Sequence, residues 1–534
     1  MRTCTKAAKA VEWALVAACL AGGWPAWGAD GASGGDASGS SPRTSIDDVV
    51  FRRLAQLGIE PAEPCSDAVF VRRAYLDAIG TLPTAKEARA FILDPTPNKR
   101  QALVDRLLAS EEFADYWALK WGDLLRVKAE FPINLWPNAA SAYYRWIRAS
   151  IKENMPYDRF ARELLTASGS NFRVAQVNFY RALQSKDPET IARTVALTLM
   201  GERAEKWDKP RLQAMAAFFA YIGYKSTREW KEEIVHFDSI RAAADAAEGK
   251  MKPGMFPDGT VAALSPARDP RQVFADWLIR PENPWFTRNI ANRAWCWLVG
   301  RGIIHEPDDI RPDNPPSNPE LLAVLQRELV ASGYDLRHLF RLILNSRAYQ
   351  LSAIPKSRHA EAEANFAFYP IRRLEAEVLI DALCQITGST EEYSSPIPEP
   401  FTFIPSHHRS IALPDGSITN SFLEMFGRPP RDTGLESERS NNPTPAQRLH
   451  MLNSSHVRRK MEQSSKLRPL LSAPKARLTG AATELYLTIL SRFPTAEELG
   501  TVKAYAESSE GQGPNALMDL AWALINSTEF LYRH

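Results

Sequence analysis

The chain has 534 residues, too many for one small core, so two or more domains are expected. Hydrophobic residues make up 45% of the chain, which is ample for burial, and 65 Lys and Arg side chains nearly balance 63 Asp and Glu side chains. A formal net charge of +2 without a basic run gives no electrostatic footprint for nucleic acid, so we expect no nucleic-acid partner.

Residues 1–29 have the pattern of a signal peptide. Arg2, Lys6 and Lys9 precede an apolar run from Trp13 to Gly22, and small residues follow around Trp27. The apolar run is too short to span a bilayer permanently. We therefore expect an exported protein, periplasmic or in the cell envelope, with no transmembrane span in the mature chain.

A lipid-anchored form is an alternative mode of export. The tetrapeptide Val16-Ala17-Ala18-Cys19 resembles a lipobox, which would leave Cys19 as a lipidated N-terminus, although Glu12 argues against it. Residues 30–44 follow, rich in Gly, Ser and Asp, and they are typical of a flexible linker with nothing to bury.

Helix signals dominate the remainder of the chain. Capping boxes begin at Thr84 and Thr495, and Asn318 places a cap residue before a first-turn proline. Strand alternation is scarce, with Phe401–Ile404 and Ser410–Leu413 as short candidates. The predicted fold class is mainly α: a multi-helical two-domain protein with short β elements in loops.

The same order of landmarks occurs near both ends of the chain. Tyr75 lies eight residues before Pro83, and Tyr486 lies eight residues before Pro494; a Pro-Thr-Ala-x-Glu motif follows in each case. Each stretch closes on a Ser-x-Glu-Phe motif, at Ser110 and at Ser527. Convergence could produce this pattern, since Pro-Thr-x-x-Glu is a good helix start. The matched order favours duplication of a helical module.

Composition divides the chain into domains. Residues 45–238 are predicted to form an N-terminal helical domain, residues 239–268 a linker with a short hairpin, and residues 269–534 a C-terminal helical domain. Within the last, residues 390–442 are irregular and rich in Pro, Gly and Ser. So long a loop in a compact domain is often functional.

Several motifs, taken in order, resemble one bacterial family. The first domain contains FVRRAYLD at 70–77 and GTLPT at 80–84, and the second contains GRG at 300–302, NPEL at 318–321 and FGRPPR at 426–431. These motifs resemble the exported planctomycete and verrucomicrobial cytochrome-associated proteins of unknown function, in which domain of unknown function 1549 precedes domain of unknown function 1553. The resemblance covers nearly the whole mature chain and implies a role beside a protein partner encoded nearby, in envelope processes or polysaccharide use.

The chain departs from this family at the haem-attachment motif. Many relatives carry Cys-x-x-Cys-His after a helix that corresponds to the one ending at Arg203, whereas residues 204–210 contain neither Cys nor His. No Cys-x-x-Cys-His occurs elsewhere in the chain. Covalent haem is therefore excluded, and no cofactor is predicted from the family resemblance.

An acidic turn follows the GRG motif, with His305-Glu306-Pro307 leading into Asp308 and Asp309 and then Asp313. Its carboxylates could bind a hard cation such as Ca²⁺, and Asp308, Asp309 and Asp313 are the candidate metal ligands. Two close carboxylates could alternatively act as an acid and base pair. Helix capping and ion pairs with neighbouring arginines would explain the same residues.

Five charged residues lie together in the irregular segment, namely Arg428, Arg431, Glu436, Glu438 and Arg439. Arginine forks bind carboxylate or phosphate, so Arg428, Arg431, Glu436 and Arg439 are candidate ligand-binding residues. Glu438 joins Asp308 and Asp309 as a candidate catalytic carboxylate. The alternative is a loop attached to the protein by Arg–Glu pairs.

The first domain is rich in aromatic residues, including Trp117, Trp121, Trp136 and Trp146. Exposed rings could stack on sugars, but helical spacing favours a core role for these residues.

Three functional hypotheses follow from the sequence. The leading one is an exported protein that binds or assembles with a co-encoded partner. The second is a metal-dependent or hydrolase-like envelope enzyme, which requires the acidic turn and the Arg/Glu cluster to meet in one pocket. The third is a redox protein with non-covalent haem. No nucleophile elbow, phosphate-binding loop or His-Glu-x-x-His motif is present, so familiar enzyme classes gain no support.

Overall fold

The structure is a computed structural model that describes residues 44–404, 407–472, 477–508 and 515–534. The predicted signal peptide and Cys19 lie outside the described residues. The fold is mainly α, as predicted, with short strands in small sheets. Within the described ranges, the helices are all too short or too polar to cross a bilayer.

The described part of the first half of the chain contains ten α-helices. In chain order they are α1 (Ser45–Leu57), α2 (Asp67–Ile79), α3 (Ala85–Leu93), α4 (Lys99–Leu108), α5 (Glu111–Leu124), α6 (Pro137–Lys152), α7 (Tyr157–Thr166), α8 (Pro188–Val195), α9 (Lys209–Ala216) and α10 (Ser239–Ala247). A π-helical turn, Ala196–Met200, continues α8.

The described part of the second half contains thirteen more α-helices. They are α11 (Pro270–Leu278), α12 (Pro284–Val299), α13 (Pro319–Ala331), α14 (Leu336–Asn345), α15 (Ala376–Thr387), α16 (Ser421–Met425), α17 (Pro445–Asn453), α18 (Ser455–Glu462), α19 (Arg468–Leu471), α20 (Leu478–Leu490), α21 (Ala496–Glu507), α22 (Asn515–Ile525) and α23 (Thr528–Leu531).

Among the residues that the structure describes, three small antiparallel sheets accompany the helices. A three-stranded sheet has the order β1 (Gly169–Ser170), β3 (Glu233–Phe237), β2 (Ile222–Ser226), with Tyr224 opposite Val235. A hairpin pairs β4 (Gly254–Met255) with β5 (Val261–Ala262). The third sheet pairs β6 (Arg372–Arg373) with β7 (Tyr532–Arg533) and so joins the C-terminal residues to the start of α15.

Both predicted strand candidates were wrong. Residues 401–404 have no regular structure, because the amides of Phe401 and Thr402 turn back to the carbonyl of Pro398. Ser410–Ala412 forms a 3₁₀ turn instead of a strand. The amides of Ser410 and Ile411 donate to the carboxylate of Asp381, so they are not available for a strand ladder.

The predicted linker, residues 239–268, has more structure than the sequence indicated. It contains the expected short hairpin, β4–β5, and also helix α10, which the sequence analysis did not predict. Asp238 caps α10 by accepting the N–H of Arg241 at 3.0 Å. Phe256, between β4 and β5, stacks on Trp277 at 4.9 Å, so this segment packs on α11.

Helix ends coincide with capping residues in the sequence. The side chains of Ser66, Ser110 and Asn318 each accept a backbone N–H in the first turn of α2, α5 and α13. Helix α2 ends at Gly80, whose φ is 59°. A Cβ at this position would lie 2.5 Å from the ring of Tyr116, so the close packing of α2 against α5 requires glycine here.

The repeated landmarks correspond to the same series of helices at both ends. Helices α2 to α5 and helices α20 to α23 each run helix, capping box, helix, helix and Ser-capped helix. Tyr75 and Tyr486 occupy matching places beside the capping-box carboxylates of Glu87 and Glu498; in both, burial and then that carboxylate raise the tyrosine pKa. This agreement supports duplication of the module.

One aromatic core extends across the two predicted domains. Trp117 on α5 stacks with Phe340 on α14 at 4.3 Å between ring centroids, and it lies 5.3 Å from Trp297 on α12. Tyr157 stacks on Phe286 at 4.6 Å. Trp117 and Trp121 are buried, as predicted, and so are the neighbouring Tyr143 and Tyr144, whereas Trp136 and Trp146 are only partly buried.

We predict that Thr84→Ala and Thr495→Ala will each lower the free energy of unfolding by about 1 kcal/mol, because each removes a capping box. Urea denaturation followed by circular dichroism measures this. Thr501→Ala is the matched control: Thr501 is exposed in the middle of α21, where alanine is the better helix former, so no loss is expected. Equal losses at all three positions would contradict a capping role.

Candidate functional site

Charged side chains from both halves meet in the interior between α2, α5, α12, α15 and the irregular segment. We call this set the buried charge network. Its members are Asp77, Lys120, Asp123, Arg293, Asp308, Arg372, Glu375, Glu377, Arg428, Arg431, Glu436, Arg439 and Arg533.

Asp77 on α2 is a fully buried carboxylate. One oxygen accepts the hydroxyls of Tyr349 and Tyr369, each at 2.8 Å. The other accepts N–H groups from Arg372 at 2.9 Å and Arg533 at 3.1 Å. All four donors belong to the second half of the chain, so this first-half carboxylate is satisfied only when the two halves are together.

Glu375, immediately before α15, is the second centre of the network. Its carboxylate forms an ion pair with Lys120 and accepts the Tyr116 hydroxyl at 2.9 Å, and Arg533 lies 3.3 Å away. Burial alone raises the pKa of Glu375, but Lys120, Arg533 and Arg439 outweigh burial and hold this pKa well below its usual range. The carboxyl is therefore ionised in the folded protein.

The irregular segment enters the network through two arginines. Asp123 on α5 accepts Nε of Arg431 at 2.8 Å and a terminal nitrogen of Arg439 at 2.7 Å. Arg439 also pairs with Glu377 at 2.6 Å. Gly122 leaves room for the Arg431 guanidinium, since a Cβ there would lie 3.1 Å from its central carbon. The segment is thus attached to both α5 and α15.

Arg428 is likewise directed inward. Its Nε lies 3.4 Å from Glu377, and its terminal nitrogens donate to the carbonyls of Ile418 at 2.5 Å and Asp415 at 3.1 Å. The side chain of Arg428 is only 3% exposed, so in this structure it cannot bind a ligand from solvent.

The acidic turn and the irregular segment converge at Asp308. One carboxylate oxygen pairs with Arg293 at 2.5 Å, and the other accepts the backbone N–H of Glu436 at 2.6 Å. The Glu436 carboxylate accepts the indole N–H of Trp297 at 3.1 Å and lies 3.8 Å from Arg293. Burial raises the pKa of Glu436, because the opposing effect of Lys120 and Arg293 is smaller.

The other acidic-turn carboxylates have different partners. Asp309 pairs with Lys206 at 3.0 Å and with Arg311 at 3.1 Å, and the exposed Asp313 pairs with Arg311 at 2.7 Å. Across the described residues, no group of three His, Cys, Asp or Glu side chains is placed to hold a metal ion. A Ca²⁺ site made of Asp308, Asp309 and Asp313 would require these ion pairs to open.

Glu438 accepts hydrogen bonds from the backbone of the irregular segment itself. Its carboxylate accepts the backbone N–H of Asp432 at 2.9 Å and that of Thr433 at 3.4 Å, closing a short loop. Asp432 in turn pairs with Lys128 at 2.7 Å. Glu438 therefore has structural contacts within a loop that is held, through Asp432, to Lys128 just after α5.

Sequence reasoning missed the first-half members of the network and its two centres. Asp77, Lys120, Asp123, Glu375 and Arg533 were not candidates. A signal was present, because Asp77 and Lys120 interrupt strongly apolar helical patterns, and Lys and Asp are rarely buried unless paired. The partners could not be named, since Lys120 and Glu375 are 255 positions apart.

We predict that Glu375→Gln will lower the free energy of unfolding by about 3–5 kcal/mol, because it leaves Lys120 and Arg533 buried without their shared carboxylate. Asp313→Asn is the matched control; it removes an exposed ion pair and should change the free energy by less than about 0.5 kcal/mol. Urea denaturation measures both variants. A small effect of Glu375→Gln would contradict the central place of this residue.

The network also predicts a pH dependence. The pKa values of Asp123 and Glu375 lie below those of the unfolded chain, because arginines and Lys120 outweigh burial. The unfolded chain then binds more protons, so the free energy of unfolding should fall as pH drops below about 4. Glu375→Gln should make this fall shallower. Glu436→Gln should not make this fall shallower, because the pKa of the Glu436 carboxyl is raised.

Urea midpoints between pH 7 and pH 3 test this prediction on the unsubstituted chain and on both variants. The same slope in the unsubstituted chain and in Glu375→Gln would show that the Glu375 carboxylate does not carry the effect.

Two family descriptions match the chain in succession. PSCyt2, described as a protein of unknown function (DUF1549), matches residues 45–212, and PSD1, described as a protein of unknown function (DUF1553), matches residues 270–506. No curated protein and no solved structure matches the chain. The two matched regions contribute opposite sides of the buried charge network, with Asp77 and Lys120 from the first and Arg372 and Glu375 from the second. The chain therefore belongs to the family of proteins in which a PSCyt2 domain is followed by a PSD1 domain.

Proposed function

We propose that this is an exported binding or assembly protein that acts with a protein partner encoded beside it, in the cell envelope or in polysaccharide use, and that it carries no covalent haem. The pattern of residues 1–29 supports export. The family resemblance supports a co-encoded partner, and the missing Cys-x-x-Cys-His motif supports the absence of covalent haem.

One observation carries the preference for binding over catalysis. The charged groups that the sequence offered as candidate chemistry are engaged in pairs within the protein. Arg431 is fully buried against Asp123, Asp308 is buried against Arg293, and Glu438 closes its own loop. A general acid or base must reach its substrate directly or through one water, and these side chains are directed at the protein itself. Arg431 joins the irregular segment to the first half through Asp123, whereas Asp308 and Glu438 hold segments of the second half in place.

A second candidate, a hydrolase-like or metal-dependent envelope enzyme, is supported by a different observation. The acidic turn and the irregular segment do meet, at Asp308 and the backbone of Glu436. Glu436 is a quarter exposed, and its raised pKa is the property of a carboxyl suited to donate a proton. Glu436 rather than Glu438 is the carboxylate on which this version depends.

Purification of the mature protein from its native host distinguishes the two candidates. Our proposal predicts no stoichiometric metal by elemental analysis, no Soret band in the absorption spectrum, and co-elution with the product of a neighbouring gene. Turnover of an envelope substrate by the pure protein, lost in Glu436→Gln but kept in the exposed control Glu248→Gln, would overturn it in favour of the enzyme.

A further inference from the structure

Exposed aromatic side chains are concentrated in one region of the surface. In the part of the chain that the structure describes, four Phe, Tyr or Trp residues are at least half exposed: Phe131 at 74%, Trp230 at 67%, Phe401 at 50% and Phe403 at 77%. They lie on three segments, namely the loop before α6, the turn between β2 and β3, and the irregular segment. An exposed apolar patch of this kind marks an interaction surface.

Trp136 and Lys231 connect the three segments. The ring of Trp136 lies 5.3 Å from that of Phe401, and the ammonium of Lys231 lies 5.9 Å from the Trp136 ring and 5.4 Å from the Trp230 ring. We call these residues the aromatic cap, which comprises Phe131, Trp136, Trp230, Lys231, Phe401 and Phe403.

The loop that carries Phe131 is held in place from within. The N–H of Trp136 donates to the carbonyl of Ala129 at 3.1 Å, which closes the loop at its base. The N–H of Ala129 donates to Asp415 at 2.9 Å, and that of Glu130 to Ser417 at 2.9 Å. Phe131 therefore projects from a fixed loop, although its ring has few contacts of its own.

Two residues of the aromatic cap have an unusual backbone conformation. Trp136 has a φ of 71° and Lys231 a φ of 61°, both in the left-handed region that side chains with a Cβ seldom adopt. Such conformations persist only where the surrounding structure imposes them, and they concentrate at functional sites. Here the two residues lie on different segments, with the Lys231 ammonium 5.9 Å from the Trp136 ring.

The exposed charges on the β2–β3 hairpin, beside the cap, are mostly positive. Lys225 lies on β2 and Arg228 and Lys231 on the β2–β3 turn, and the exposed Arg173 lies 3.9 Å from the Glu232 carboxylate. Glu229 is the exposed carboxylate of the β2–β3 turn, and Glu392, Glu399 and Glu424 are exposed on the irregular segment. Glu232 is held inward by the hydroxyls of Ser170 and Thr227. The cap thus favours an anionic surface over a cationic one.

We propose that the aromatic cap docks the protein on an anionic phospholipid bilayer. Three of its five rings are phenylalanines, which have no hydrogen-bonding group and can enter the acyl boundary. The tryptophans combine an apolar ring with one polar N–H, which suits the headgroup level, and the neighbouring cations pair with lipid phosphates. Phe131, Trp230 and Phe403 are 67% to 77% exposed, as insertion into a bilayer surface requires. This inference is independent of the partner and of the proposed binding role.

Vesicle flotation tests the proposal on the exported chain in a Cys19→Ala background, so that no lipid anchor contributes. The probes are vesicles of phosphatidylglycerol and phosphatidylethanolamine, and vesicles of phosphatidylcholine alone. We expect binding to the anionic vesicles, weaker binding to phosphatidylcholine, and weakening with added salt. The triple variant Phe131→Ser, Trp230→Ser, Phe403→Ser should lower the affinity for anionic vesicles by at least about tenfold.

A matched control removes three similarly exposed apolar side chains elsewhere, as Leu93→Ser, Val261→Ser and Leu449→Ser, with exposures of 65%, 64% and 58%. Both triple variants should keep the circular dichroism and melting temperature of the parent, and the control should bind vesicles like the parent. Failure of the parent to bind, or equal losses in both variants, would overturn the proposal. Cap-dependent binding to an envelope polysaccharide or to a protein, without vesicle binding, would also overturn it.

Discussion

A buried carboxylate needs hydrogen-bond donors around it, and for Asp77 these donors come from the other half of the chain. Asp77 belongs to α2, yet Tyr349, Tyr369, Arg372 and Arg533 satisfy it. Neither half can close its core alone without leaving charged groups buried and unpaired, a cost of several kcal/mol for each charge. The two halves are therefore expected to fold as one unit, although the family descriptions divide them.

The same constraint explains the irregular segment. A long loop rich in proline and glycine has little secondary structure to fix it, so its position depends on side chains. Arg431 and Arg439 of this segment form ion pairs with Asp123, and Arg439 forms a second ion pair with Glu377. Because these charged side chains are paired in the interior, we expect other residues, on the surface, to recognise other molecules. The aromatic cap contains residues of this segment and of two first-half loops. The contacts that join the two halves therefore also bring the residues of the cap together.

Local features of the sequence predicted local features of the structure. The capping boxes at Thr84 and Thr495 involve residues three positions apart, and both formed as expected. The strand candidate at 410–413 was wrong because two of its backbone N–H groups donate to the carboxylate of Asp381, which lies on a different element. The Arg/Glu cluster was found as a set, but its pairing with Asp123 depends on packing across more than half of the chain. Periodicity and composition contain no information on such pairs.

Hydrogen exchange measured during urea unfolding is the most direct test of the central claim, that the two halves form a single cooperative unit joined by the buried charge network. Peptides from α2 and α5 report on the first half, and peptides from α12 and α15 report on the second. A single transition with the same midpoint in all four helices is the result we predict. Two separate transitions, with one half still protected after the other has opened, would contradict the account.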